Sequence, residues 1–233
     1  MVFIPALNEE ESVRAVIAGV RDQLPEATVL VVDDGSTDHT TEEASAAGAS
    51  VAVLPFNAGL GAALQTGYRF AAERGFQYFA HLDADGQHPP EELPRILQPI
   101  WAGNADLIVG SRFATDLERA PTFRSSPFRR FWIILLGRLL SATSGGRFSD
   151  ITSGFRAGNR RAIELFAHLY QPDFGEIEAL QTALKEGLTI DEVPVLMVAR
   201  ERGTSYLTAA PSFLFLLKAL ILITIGRFRA AVR

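Results

Sequence analysis

Five times in its first 112 positions the chain runs apolar for a few residues and then stops abruptly at polar or acidic ones. Val2-Phe-Ile-Pro5 precedes Asn8 and Glu9; Thr28-Val-Leu-Val-Val32 precedes Asp33 and Asp34; Val51-Ala-Val-Leu54 precedes Asn57. Phe76 to Leu82 ends at Asp83-Ala-Asp85-Gly-Gln87, and Asp106-Leu-Ile-Val-Gly110 breaks into Ser111-Arg112. Unbroken apolar runs of this length are typical of strands covered on both faces. Helical signals lie between them. Val13, Val16, Ile17 and Val20 fall at helical spacing. Ser36 and Thr37 read as N-caps with Asp38, Glu42 and Glu43 early in the next helix. Asn57-Ala-Gly-Leu-Gly61 leads into a helix to about Arg74, and Pro89-Pro-Glu-Glu-Leu93 starts another. Alternation of this kind predicts an α/β fold with a mostly parallel central sheet flanked by helices.

Ligands in such sheets bind beyond the carboxyl ends of the strands. Each polar cluster could be a turn, but five at one edge are better explained as the rim of a single site. Asp83 and Asp85 leave an extended strand on the same side, so both can converge on a hard cation, Mg²⁺ or Mn²⁺, that holds a diphosphate. The plainer reading is a turn in which Asp and Gly serve the backbone. His88 could also ligate, but a helix starts at Pro89, so it is not counted as a ligand. Gly59-x-Gly61 fails as a dinucleotide fingerprint, because Leu64 stands where the third small residue belongs.

A formal net charge of −5 over 233 residues excludes a general nucleic-acid binder. The average hides a basic stretch: ten arginines (112, 119, 124, 129, 130, 138, 147, 156, 160, 161) face three acids between Arg112 and Arg161. With no cysteine there is no disulfide and no thiolate chemistry. No signal peptide is visible, and Met1 starts inside a strand, which implies that natural residues precede it. Phe131 to Leu140 is apolar but too short to span a bilayer, and reads either as a core helix or as one in a membrane surface. A tight turn follows at Asp150 to Arg156, then helices from Arg160 to Leu169 and from about Asp173, and a late strand at Thr189 to Val198. Pro211 to Ile225 forms an apolar helix with Arg227, Arg229 and Arg233 behind it, either an interfacial membrane anchor or a helix packed on protein.

Pro5-Ala-Leu-Asn-Glu-Glu10, Val32-Asp-Asp-Gly-Ser-Thr-Asp38, Asn57-x-Gly-x-Gly61, Asp83-Ala-Asp-Gly-Gln-His-Pro-Pro90 and Gly110-Ser-Arg112 together resemble the family 2 glycosyltransferases of GT-A fold. Asp150-x-Thr-Ser-Gly-Phe-Arg156 and Arg200-x-x-Gly-x-Ser205 are similar to the branch that contains the dolichyl- and polyprenyl-phosphate mannosyl- and glucosyltransferases. The resemblance covers residues 2–206, leaving 207–233 as a separate apolar and basic helix at a membrane surface. It implies that Pro5, Asn8, Glu9, Asp33, Asp34 and Asn57 hold the nucleoside of GDP-mannose or UDP-glucose. It implies that Asp83, Asp85 and Gln87 hold Mg²⁺ or Mn²⁺ and the diphosphate. Ser111, Arg112, Ser153, Arg156, Arg200 and Ser205 then surround the phosphate of a polyprenyl phosphate, at the cytoplasmic membrane face. Asp85, Arg112, Asp150 and Arg200 become the catalytic set. One position departs: Leu60 stands where that branch often has Lys, so a phosphate contact is missing.

A phosphate monoester, with a second pKa of about 6, is already a dianion at neutral pH and needs no general base. Arginine suits it because the guanidinium fork pairs with phosphate oxygens. A saccharide hydroxyl would instead need a carboxylate, for which Asp150 is the nearest candidate. A catalytically silent domain of the same fold is the remaining alternative, opposed by the full set of acids. Asp85→Ala should abolish metal-dependent turnover while circular dichroism shows an intact fold; retained activity would refute this site.

Overall fold

The computed structural model describes residues 1–113, 134–141, 148–170 and 175–198. In chain order these form β1 (Val2–Ala6), α1 (Val13–Gln23), β2 (Val29–Asp33), α2 (Thr40–Ala46), β3 (Ser50–Val53), α3 (Leu60–Glu73) and β4 (Tyr78–His81). A 3₁₀ turn at Pro90–Glu92 leads into α4 (Leu93–Trp101), followed by β5 (Leu107–Ser111) and a helix α5 over 134–141. Then come β6 (Arg156–Asn159), α6 (Arg160–Leu169), α7 (Gly175–Lys185) and β7 (Ile190–Pro194). The seven strands make one sheet in the order β3-β2-β1-β4-β6-β5-β7.

Every residue of β1, β2 and β5 is buried, as their unbroken apolar runs require. Alternate side chains feed two cores. Phe3, Leu30, Val32 and Phe79 pack with α3, α5, α6 and α7 on one face. Val2, Ile4, Val29, Val31 and Ala80 pack with α1, α2 and α4 on the other. The four predicted contact residues of α1 are its buried ones. Leu136 and Leu140 of α5 are buried in the first core, so this part of the apolar run is a core helix.

Two expectations are corrected. Between the turn ending at Arg156 and the helix at Arg160, where no strand was expected, stands β6, which lies between β4 and β5 and is antiparallel to both. Its Gly158 is required by close approach, since a Cβ there would stand 2.4 Å from the Phe79 ring. Ser36 and Thr37 do not cap a helix: α2 begins at Thr40, and both residues are drawn to Asn8 across the neighbouring loop. The helix expected within 207–233 lies outside the described residues, and among those described no helix is long and apolar enough to cross a membrane.

Asp106 locks the newly placed strand. Its carboxylate accepts from Asn159 Nδ2 at 2.7 Å, Arg161 Nη1 at 2.8 Å and the Thr189 amide at 2.8 Å, tying β5, β6 and the entry to β7. Burial works to raise its pKa, but those hydrogen bonds and the Arg161 charge outweigh it and hold the carboxyl below its ordinary 3.8. A lowered carboxyl pKa stabilises the fold fully above the ordinary value and less as pH falls through the lowered one. Asp106→Asn should therefore cost about 1–3 kcal/mol at pH 7 in urea unfolding, with the deficit shrinking as the pH is taken below 3.8.

Candidate functional site

The β1–β4 pairing runs only from Val2↔Ala80 to Phe3↔His81, whereas β1–β2 continues to Ala6↔Asp33. Beyond Phe3 the pairing of the two strands ends, at the point where the strand order reverses, the expected ligand position in such a sheet. Pro5 stands there, on an inner strand but with no β4 partner, so its missing N–H costs no ladder bond. Asn8 follows with φ of 55°, a left-handed conformation that Asn tolerates. Its Oδ1 accepts from the Thr37 amide at 2.9 Å and its own amide donates to Ser36 Oγ at 2.9 Å. The Glu9 amide donates to Thr40 Oγ1 at 2.8 Å.

Asp33 and Asp34 are both buried and both act on neighbouring chain. Asp33 accepts from the Ser36 amide at 2.8 Å and from the Thr41 hydroxyl. Asp34 accepts from the amides of Ala58 at 2.8 Å and Gly59 at 2.9 Å, and Asn57 Oδ1 shares the second at 3.1 Å. Gly35, at φ 75°, lets the Phe56–Asn57 backbone pack against it, because a Cβ would lie 2.7 Å from Phe56 C. The loops after β1, β2 and β3 are thus sewn into one wall.

The loop after β4 carries the second group. The Gln87 amide donates to Asp85 Oδ1 at 3.0 Å and Gln87 Nε2 to Asp85 Oδ2 at 2.6 Å, so Gln87 orients Asp85. His88 is buried, stacked on Phe155 with centroids 5.1 Å apart, and its Nδ1 accepts from the Asp83 amide at 3.1 Å. Burial pushes the His88 pKa down to about 4, so it is neutral at pH 7. This histidine supports the loop. The Asp83 side chain is 40% exposed, and a Cβ at Gly154 would stand 3.4 Å from its Oδ1. Among the described residues no three of His, Cys, Asp and Glu form a complete metal cage. Two carboxylates with room left around them fit Mg²⁺ or Mn²⁺, which take few protein oxygens and fill their shells with phosphate and water.

At the end of β5, Arg112 grips Asp150 at two points, Nε to Oδ2 at 2.6 Å and Nη2 to Oδ1 at 2.7 Å. The Arg112 amide also donates to Oδ2 at 3.1 Å, and Nη2 to Thr152 Oγ1 at 2.9 Å. The arginine side chain is 10% exposed and the aspartate 0%. Burial works to lower the Arg112 pKa, yet the hydrogen bonds and charge of Asp150, then the charge of Asp83, raise it. The β4 and β5 groups therefore share one electrostatic field. Ser111 Oγ lies 2.8 Å from Ser149 Oγ, whose amide and hydroxyl are both bound by Glu192 of β7. Glu192 was not foreseen: in Thr189-Ile-Asp-Glu-Val-Pro194 it looks like an outward-facing strand residue.

Two expected acceptor residues are buried. Arg156 is fully buried on β6, donating to the Ser153 and Glu176 carbonyls at 3.0 and 2.9 Å. Ser153 is buried and accepts from the Phe155 amide at 3.2 Å. Arg200 and Ser205 lie outside the described residues. Asp150→Ala would strand a buried guanidinium, and urea unfolding should show a loss of about 3–5 kcal/mol; a change under about 1 kcal/mol would mean that the pair contributes no more than a surface one.

Residues 1–166 match Glycosyl transferase family 2. The chain is 37% identical over 217 residues to an undecaprenyl-phosphate mannosyltransferase of Micrococcus luteus, covering 88% of this chain and 86% of that protein. It is 34% identical over 223 residues to a polyprenol monophosphomannose synthase of Mycolicibacterium smegmatis, with coverage of 90% and 81%. Its fold is similar to that of glucosyl-3-phosphoglycerate synthase from Mycobacterium tuberculosis, solved with Mn²⁺, UDP-glucose and phosphoglyceric acid. There the TM-score is 0.73 at 22% identity, over 97% of this chain and 78% of that one. With the seven-stranded sheet and its polar rim, these matches make the chain a member of glycosyltransferase family 2, on the GT-A fold.

Proposed function

We propose that this glycosyltransferase moves a hexose from a nucleoside-diphosphate sugar, GDP-mannose or UDP-glucose, to the phosphate of a polyprenyl phosphate. The names of two relatives favour mannose. The observation that carries the acceptor assignment is the Arg112–Asp150 pair. Asp150, the carboxylate that would deprotonate a hydroxyl, has no exposed surface and both its oxygens are taken by Arg112. Such a site favours an acceptor that arrives already ionised over one that needs a base.

In this reading the wall built from Pro5, Asn8, Glu9, Asp33, Asp34 and Asn57 receives the nucleoside. Asp83 and Asp85, the latter steered by Gln87, are the residues that would hold the divalent cation. When bound, that cation supplies charge neutralisation to the departing diphosphate. Arg112, backed by Ser111 and joined by Arg200 and Ser205, aligns the acceptor phosphate. One phosphate oxygen forms a bond to the anomeric carbon as the bond to the diphosphate oxygen breaks, with inversion. The proton balance needs no base because the attacking phosphate is a dianion. Residues 1–206 form the catalytic unit, and 207–233 lie against the cytoplasmic membrane surface, where the lipid acceptor resides.

Incubation of the protein with Mn²⁺ or Mg²⁺, labelled GDP-mannose or UDP-glucose and polyprenyl phosphate should place label in the organic phase. Donor hydrolysis or no turnover, with metal-dependent donor binding intact, would redirect the assignment to a hydroxyl acceptor. Failure to bind either nucleotide sugar would favour a silent domain.

A further inference from the structure

We propose that Glu192 is a positioning residue for the acceptor end of the site, acting through Asp150 on Arg112. It resides on the edge strand β7, opposite Val109 of β5 in the parallel ladder. From there its carboxylate binds Ser149 and the backbone amide of Asp150. Oε1 accepts from the Ser149 amide at 2.8 Å and the Asp150 amide at 2.9 Å; Oε2 accepts from the Ser149 amide at 2.9 Å and the Ser149 hydroxyl at 2.5 Å. A hydroxyl has one proton. Since Ser149 gives its proton to Glu192, the 2.8 Å bond to Ser111 runs from Ser111 to Ser149. The Phe113 amide in turn donates to Ser111 Oγ at 3.2 Å. The chain Phe113, Ser111, Ser149, Glu192 therefore has one direction, and it flanks Arg112 on both sides in sequence.

The consequence is geometric. The backbone amide of Asp150 is fixed by Glu192 while its side chain holds both Nε and Nη2 of Arg112. Turn and guanidinium move together, so the carboxylate on β7 sets where Arg112 can meet a phosphate. Burial raises the Glu192 pKa, and the Asp150 charge adds to that rise. Holding a second carboxylate so close to Asp150 is costly, and a turn needing only to be closed could do without one. The link to acceptor phosphate rests on the function proposed above; the control of Arg112 does not.

Glu192→Gln keeps the shape but puts an amide donor against the donors of the 149–150 turn. In wild type the Arg112 Nε proton, assigned in nitrogen-15 spectra by its absence from Arg112→Lys, should exchange slowly with solvent. In Glu192→Gln that exchange should accelerate roughly tenfold or more, the loss of about one charge-assisted hydrogen bond. The KM for polyprenyl phosphate should rise by a similar factor, with the KM for the nucleotide sugar unchanged. In an Arg112→Lys background Glu192→Gln should leave the acceptor KM where it was, since the effect runs through that arginine. Should Glu192→Gln not fold, Ser149→Ala removes the two hydroxyl bonds of the chain, to Ser111 and to Glu192, while leaving the amide bonds to Glu192, and should shift both readouts the same way by a smaller factor. Unchanged Nε exchange in a folded variant overturns the proposal, as does activity that falls only with the folded fraction. If wild type transfers no sugar to polyprenyl phosphate, the functional reading fails and the exchange rate still decides whether Glu192 positions Arg112.

Discussion

A guanidinium and a carboxylate taken out of water lose several kcal/mol each in hydration, and only near-ideal geometry restores the balance. Arg112 and Asp150 meet that demand with two short parallel bonds, a backbone amide and the Thr152 hydroxyl. The pair cannot drift without leaving a buried charge alone. Because Glu192 holds the turn that carries Asp150, three separate parts of the chain are brought into one rigid corner: the end of β5, the 148–152 turn and β7. That corner is where the site turns from carboxylates to arginine.

The other side of the site follows from where strands stop pairing. The pairing of β1 with β4 ends after Phe3 and His81, and every polar cluster of the rim is delivered beyond that point or beyond the ends of β2, β3 and β5. The acids of the rim do unlike work. Asp33 and Asp34 are spent on loop amides, which makes the wall stiff before any ligand arrives. Asp83 keeps substantial exposure, and Asp85 is aimed by Gln87. A transferase gains from this division, since groups fixed in advance need no reorganisation when charge moves.

Most of this arrangement was legible in residue order. Buried parallel strands are unbroken apolar runs, and a chain that leaves such a strand must become polar, so β1, β2, β4 and β5 and the rim positions could be read directly; β3 has the same apolar run but lies at the sheet edge with its residues exposed or half-buried. β6 could not. Phe155-Arg156-Ala157-Gly158-Asn159 has no β-branched residue, and its strand character comes from pairing on both sides with β4 and β5. Arg156 was assigned to the acceptor by motif, but its burial depends on the Ser153 and Glu176 carbonyls, which the sequence does not bring together. Ser36 and Thr37 were misread because the same hydroxyls and amides that cap helices also join loops. Glu192 and the pairing of Asp150 with Arg112 were hidden for a related reason: the residue types were visible, while their partners stand 42 and 38 positions away.

We propose that the β4 carboxylates and the wall beside them form a metal-dependent nucleotide-sugar site. Calorimetric titration of GDP-mannose and of UDP-glucose into the protein, with and without Mn²⁺, tests it most directly. One of the two should bind only with metal present, and that binding should vanish when Asp83 and Asp85 are both changed to Asn in a protein that still melts cooperatively. Binding of equal strength with and without Mn²⁺, or binding that survives the double change, would contradict the account.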